Sequence, residues 1–311
     1  MIWANLLHLS YNMWMDREAP GFENNPIVAK PYLRFDEALW NDLLQQMAAA
    51  KFNMVILDLG DAIQYQSHPE IAIENAWSPD KLRDELKKMR AMGLEPIPKL
   101  NFSTAHDAWM GPYSRMVSTP QYYQVVRDLI EEVAQLFDTP RFFHLGMDEE
   151  DVKHQTRFAY AAMRQHELWW HDLFLMISSV ENSGARAWVW SDYVWQHGEE
   201  FYRQMPKSVL QSNWYYGAKF DGFEDGDADK TAVQAYCDLQ ERGYDQVPTG
   251  SNWNHDSNME STVDFCTAHL APEQLKGFMT APWHPTTEAY REHHSNAVTQ
   301  LARSISRSET P

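Results

Sequence analysis

The feature that most limits what this chain can fold into is a rhythm: a short β-rich run followed by a helical period, repeated eight times. The strand-like runs are Ile2 to Ser10, Asn53 to Leu59, Glu95 to Phe102, Arg141 to Met147, Ala185 to Trp190, Val209 to Trp214, Gln246 to Ser251 and Gly277 to Ala281. Between them lie helical signals. Leu39, Leu43 and Met47 recur every four residues from Asp36 to Ala50, and Ser78-Pro79 and Thr119-Pro120 are N-cap and first-turn pairs. The last helix is expected to end near Arg303, with a polar tail from about residue 304. Near-continuous apolar strands alternating with amphipathic helices imply a parallel sheet covered by helices, and eight units imply closure. The predicted fold is therefore α/β, a single (β/α)8 TIM barrel over residues 1–311. An open doubly wound sheet is disfavoured because no glycine-rich phosphate turn follows any strand.

Composition removes several classes of function. The net charge of −18 opposes nucleic-acid binding, which needs clustered Lys and Arg. No apolar stretch is long enough to span a bilayer, so neither nucleic acid nor membrane is an expected partner, while an oligomer is compatible with the sequence. Cys237 and Cys266 lie in helical segments without metal-ligand spacing and read as buried free thiols. Residues 1–10 read as a strand rather than a secretion signal. The expected compartment is the cytoplasm, or the periplasm or exterior if a signal peptide has been removed.

Barrel enzymes keep their chemistry at the carboxyl ends of the strands. Those ends supply His8, Tyr11 and Asn12, then Asp58 and Asp61, then Asn101 and His106. The fourth supplies His144, Asp148 and Glu149, the fifth Trp190 and Asp192, the sixth Asn213, Trp214 and Tyr215. The last two add Asn252, Trp253, Asn254 and Trp283. Strand alternation puts His144, Gly146 and Asp148 on one face, aiming Asp148 into the barrel mouth. Glu149 reaches the same space only if the strand bends or ends there. His144 is expected to orient Asp148 or to touch a ligand. Glu150 and Asp151 are expected to belong to a solvated acidic loop or to a helix N-terminus favoured by its dipole. Close like charges raise the proton affinity of one member of an acidic pair, and an acid beside an ionised neighbour is what glycosidic cleavage requires. Thirteen tryptophans, several of them in the strand-like runs, suit the C–H faces of sugar rings, with ordinary core filling expected to account for about half.

The segment His144-Leu145-Gly146-Met147-Asp148-Glu149 resembles the strand-four signature His-x-Gly-Gly-Asp-Glu of glycoside hydrolase family 20, the β-N-acetylhexosaminidases. Two upstream stretches resemble the same family in order and spacing: Lys51-Phe52-Asn53 through Asp58-Leu59-Gly60-Asp61 to His68-Pro69-Glu70, and Trp77-Ser78-Pro79 through Gly93-Leu94-Glu95 to His106. The resemblance implies a retaining exo-glycosidase acting on a terminal N-acetylhexosamine, GalNAc or GlcNAc, with no cofactor. The sugar's own 2-acetamido oxygen would be the nucleophile, passing through an oxazolinium ion. Glu149 would be the general acid and base, and Asp148 would orient the acetamido group. Trp190, Trp214, Trp253 and Trp283 would wall the pocket, and Tyr215 or Tyr216 would hold the acetamido oxygen. Asn101, His106, His144 and Asp192 complete the expected substrate-binding set. The chain departs from the family pattern in lacking the strand-one arginine, in carrying Lys99 and Asn101 at acidic positions of strand three, and in Met147 at the second glycine of the signature. The family 123 β-N-acetylgalactosaminidases are also similar in using adjacent Asp and Glu.

Two further readings compete. His8, Asp58, His144, Asp148 and Asp192 could converge on a divalent ion in a metal-dependent hydrolase or isomerase, although no His-x-His pair or tight ligand cluster supports this. A sugar-binding barrel without catalysis would fit the missing arginine, but has little use for a protonatable pair.

Overall fold

A computed structural model describes residues 1–23, 25–224 and 226–308. Strands β1 (Ile2–His8), β2 (Met54–Asp58), β3 (Glu95–Lys99), β4 (Phe142–His144), β5 (Arg186–Trp190), β6 (Leu210–Ser212), β7 (Thr249–Gly250) and β8 (Gly277–Thr280) form one parallel sheet. Helices α1 (Glu37–Ala49), α2 (Pro79–Ala91), α3 (Pro120–Leu136), α4 (Glu167–Asn182), α5 (Tyr193–Gln204), α6 (Ala228–Glu241), α7 (Asn258–His269) and α8 (Arg291–Ser308) follow the strands in turn. The hydrogen-bonded order is β6-β5-β4-β3-β2-β1-β8-β7. Closure comes from backbone bonds across the remaining seam, Val247 N–H to Gln211 O at 2.9 Å and Thr249 N–H to Asn213 O at 2.9 Å. The molecule is a single (β/α)8 barrel.

Alternation along the strands builds two cores. Ile2, Ala4, Leu6, Met54, Ile56, Ile97, Phe142 and Trp188 fill the barrel, while Trp3, Leu7, Val55, Leu57 and Phe143 face the helix layer. One step further along the inward series the residues turn polar: His8, Asp58, Lys99 and His144, all buried. Asp58 is engaged by the Lys99 ammonium and lies 3.3 Å from His8 Nδ1, so it is already neutralised beneath the mouth.

The helix starts match the sequence. Asp36, Ser78 and Thr119 each accept from a backbone N–H of the first turn, and Pro79 and Pro120 begin their helices. The final boundary differs. α8 does not stop near Arg303 but continues to Ser308, because Ser304 and Ile305 are buried and prolong its inner face. Of the two free cysteines only Cys266 is buried; Cys237 is partly exposed. Among the described residues no helix is long and apolar enough to cross a membrane.

Candidate active site

The ladder between β4 and its neighbours extends a little beyond His144, with Phe102 N–H bound to Leu145 O and Trp190 N–H to Gly146 O, both at 3.0 Å. The backbone then leaves the extended region. Gly146, Met147 and Glu149 have φ of 72°, 76° and 57°. The sequence argument put Asp148 in the mouth by uninterrupted alternation; it reaches the mouth by this left-handed coil instead, which also brings Glu149 round to the same side. A Cβ on residue 146 would fall 2.0 Å from Asn101 Oδ1, so only glycine lets the coil close on β3. Met147 takes up a conformation that costs a residue with a Cβ about 1–2 kcal/mol. Its buried side chain packs in the helix-facing core, which offsets that strain. The strain also shows why glycine suits this place in the signature.

Asn101 is the pivot of the arrangement. Its Oδ1 accepts from Ser103 N–H at 3.0 Å and its Nδ2 donates to Asp148 Oδ1 at 2.9 Å. His106 bridges the two carboxylates, with Nδ1 at 3.2 Å from Asp148 Oδ1 and Nε2 at 3.2 Å from Glu149 Oε2. His154 approaches Glu149 from the other side, Nε2 to Oε1 at 3.3 Å, and is itself held by Asp151 at 2.9 Å. Burial disfavours a charge on His106, but the charges of Asp148 and Glu149 outweigh it and hold the imidazole up to about 10. Burial likewise opposes ionisation of Asp148, yet the His106 charge, Lys99 and the Asn101 amide keep its carboxyl well below the usual carboxylate range. Asp192 goes the opposite way. Burial and then repulsion from Asp148 and Glu149 push it well up, and its Oδ2 accepts the Glu149 N–H at 2.8 Å.

These groups open onto a cavity of about 460 Å³ in which, among the described residues, Asp148 and Glu149 are the only carboxylates on the wall. Trp14, Trp214, Trp253 and Trp283 line it with Tyr11 and Tyr216. Tyr216 stacks on Trp214 with centroids 5.0 Å apart and accepts from Trp283 Nε1 at 2.9 Å, which leaves its own O–H hydrogen free. Tyr11 O–H donates to the Trp283 carbonyl.

Of the residues expected from sequence, Tyr11, Asn101, His106, Asp148, Glu149, Trp214, Tyr216, Trp253, Asn254 and Trp283 come together on this wall. The others do not. Tyr215 points the other way, its hydroxyl 3.1 Å from Asp229 and its ring against Phe220 and Phe223, and Tyr216 stands in the cavity. His144 neither bonds Asp148 nor reaches the cavity: it is buried against Trp188 and Trp190, and its Nδ1 accepts the Gly146 N–H at 3.0 Å, which props up the coil from below. Trp190 is buried beneath Trp283, and Asp192 sits behind Glu149, bonded also to Trp214 Nε1 at 3.4 Å. Glu150 is not solvated. Its side chain is buried against Arg164 at 2.8 Å and accepts from Thr104, anchoring the loop.

Sequence reasoning passed over Trp14, His154, Lys153 and Arg157, which line the cavity from the long segments after β1 and β4. His154 lies five residues beyond Glu149 in a single 3-10 turn, Lys153–Gln155, too short for any periodicity to have flagged it. The metal set expected from sequence does not converge among the described residues: no three of its members bring ligating atoms within 4.8 Å of one another, and Asp58 is already engaged by Lys99. Two other groups among the described residues bring ligating atoms within 4.8 Å of one another: His106, Asp148 and Glu149, and, away from the cavity wall, His166, His197 and Glu200.

No family model matches the chain. A β-hexosaminidase of Emericella nidulans is 21% identical over 68% of this chain and 40% of its own length. The family 20 exo-β-N-acetylglucosaminidase of Vibrio harveyi, solved with N-acetylglucosamine, superposes with a TM-score of 0.63 at 14% identity, covering 97% of this chain and 54% of that one. A mutant β-hexosaminidase of Streptomyces plicatus with its product GlcNAc gives 0.63 at 14% identity, covering 96% of this chain and 63% of that one. The chain thus spans less than half of the curated relative and little more than half of these structures. In barrel fold and in the sequence that aligns, it is similar to the β-N-acetylhexosaminidases of glycoside hydrolase family 20.

Proposed function

We propose that this barrel is the catalytic part of a retaining exo-β-N-acetylhexosaminidase that cleaves a terminal GlcNAc or GalNAc with the help of the substrate's own acetamido group. The observation that carries the proposal is that the only two carboxylates on the cavity wall, among the described residues, are sequence neighbours presented by one coil. A conventional retaining pair must flank the anomeric carbon from opposite faces, about 5–5.5 Å apart, one as nucleophile and one as acid. Neighbours on one coil are poorly placed for that, so the nucleophile is best supplied by the sugar.

In this mechanism the acetamido carbonyl oxygen attacks C1 while the C1–O bond to the leaving group breaks and the leaving oxygen takes the proton of Glu149. Positive charge then grows on the acetamido nitrogen, whose N–H is held by the ionised Asp148; His106, Lys99 and Asn101 keep that carboxylate charged inside the barrel. Tyr216, with its O–H hydrogen free, donates to the acetamido oxygen and orients it. In the second half Glu149 takes a proton from water as it attacks C1, the oxazolinium ring opens, and configuration is retained. The tryptophan walls offer flat apolar faces to the sugar ring. The similarity to family 20 enzymes supports the same reading.

The experiment is a panel of aryl β-glycosides carrying GlcNAc, GalNAc, glucose or galactose. The proposal expects turnover only where the 2-acetamido group is present, and in Glu149→Gln a loss that grows as the aryl leaving group becomes poorer. Turnover confined to the non-acetylated sugars refutes it.

A further inference from the structure

The loop that carries Asp148 and Glu149 ends at His166, the residue before α4, and there it meets α5 at a second group of ligating side chains. His197 and Glu200 are three residues apart on α5, with ligating atoms within 4.8 Å of each other. His166 Nδ1 lies 3.3 Å from Glu200 Oε2. Two ligands of one tetrahedral zinc, bonded at about 2.0–2.2 Å, stand about 3.3–3.5 Å from each other. The third ligand atom, on His197, is within 4.8 Å of both, a gap that side-chain rotation can close.

Two independent features single this group out from an ordinary surface ion pair. The first is orientation. Trp170 Nε1 donates to Glu200 Oε1 at 2.7 Å, leaving Oε2 for the histidines, and the His197 ring stacks on Tyr193 at 4.2 Å, which in turn stacks on Trp169 at 3.8 Å. A hydrogen bond to the far oxygen of a carboxylate and a fixed imidazole plane are how metal ligands are held ready. The second is the backbone. His166 has φ 50° and ψ −126°, a region rarely taken by a residue with a Cβ, and His197 breaks the helical conformation inside α5 at φ −127° and ψ 32°. An exposed His–Glu pair contributes too little to account for irregular backbone at both histidines.

We propose that His166, His197 and Glu200 bind a divalent transition-metal ion of the zinc class, with water in the remaining position on the side where His166 is exposed. Imidazole and carboxylate donors select zinc, nickel or copper over magnesium or calcium. The ion cross-links the residue before α4 to α5 and pins the end of the loop whose other anchor is Arg164, bonded to Glu150 and Asp172. None of the three ligands lines the cavity, so the site stands whether or not the barrel is a glycosidase.

The test uses the full chain, freed of metal with EDTA, dialysed and titrated with zinc sulfate against a chromophoric zinc indicator. The expected result is one zinc per chain with a dissociation constant of about 1 μM or below, retained in Glu149→Gln, which breaks the group at the cavity. His197→Ala and Glu200→Gln should weaken binding by more than the roughly 10–100-fold lost when a group that only orients a ligand is removed. His166→Gly removes a ligand while relaxing the backbone, so it should lose zinc without losing thermal stability. Failure of the native chain to bind zinc, survival of binding in both α5 variants, or its loss in Glu149→Gln would overturn the proposal.

Discussion

Replacing Asp148 by Asn removes a charge with little change of shape, and the first consequence should fall on His106. Burial alone would lower the proton affinity of that imidazole; the charges of Asp148 and Glu149 reverse this and raise it from 6.5 to about 10. At about 1.4 kcal/mol per pH unit, that rise corresponds to about 5 kcal/mol favouring the charged ring. Because the folded value lies above the unfolded one, this stabilisation is complete below pH 6.5 and is lost as pH rises through about 10. Asp148 behaves inversely: its folded value is depressed, so its contribution is present above its ordinary 3.8 and is lost as pH falls below that. The pair therefore stabilises the fold most between those limits. Asp148→Asn deletes the largest influence raising His106, which should then titrate nearer to 6.5, and stability near neutral pH should fall by about 3–5 kcal/mol because a buried charge loses its partner. Histidine side-chain NMR between about pH 5 and pH 10, assigned with His106→Gln, reads the first effect; urea denaturation reads the second. A native His106 that titrates at its ordinary value, or one that Asp148→Asn leaves unmoved, would refute the electrostatic reasoning.

Other outcomes follow from the same geometry. Glu149→Gln should lower kcat/KM by about 10²–10⁴ for a poor leaving group and much less for an activated aryl group that needs no proton; equal losses on both would remove Glu149 as the acid. Tyr216→Phe should reduce kcat on acetamido substrates by about 10²–10³, the usual cost of deleting one aimed donor, whereas Tyr215→Phe, whose hydroxyl meets Asp229 away from the cavity, should leave kcat nearly unchanged. Gly146→Ala must take a positive φ and push aside Asn101, so calorimetry should show about 2–5 kcal/mol of destabilisation; wild-type stability would disprove the close approach.

The barrel was legible because its signals are local. Asp36, Ser78 and Thr119 cap helices as their sequence context predicts, and inward residues such as Ala4, Leu6 and Ile56 follow strict alternation. The acidic pair was legible by position at a strand end. What escaped is set by tertiary geometry. Three positive φ angles after His144 decide which way Asp148 and Glu149 face, and only Gly146 hints at them in sequence. Adjacent Tyr215 and Tyr216 are equivalent as letters; Asn258, donating to the carbonyls of Tyr215 and Gly217, and the Asp229 contact fix the bend that sends one out and the other in. Glu150 reads as a loop acid until Arg164, fourteen residues later, folds back beside it. The end of α8 was misplaced because Ser304, polar as a letter, lies buried beside Ile305.

The central claim is that the substrate's acetamido oxygen, positioned by Asp148, performs the attack on C1. It is tested most directly by kcat/KM along a series of aryl β-N-acetylhexosaminides whose acetyl hydrogens are replaced stepwise by fluorine. Each fluorine drains electron density from the carbonyl oxygen while leaving the leaving group and the Glu149 step untouched. The account predicts a steep fall at every step; a flat series, with turnover maintained on the trifluoroacetyl sugar, would contradict it.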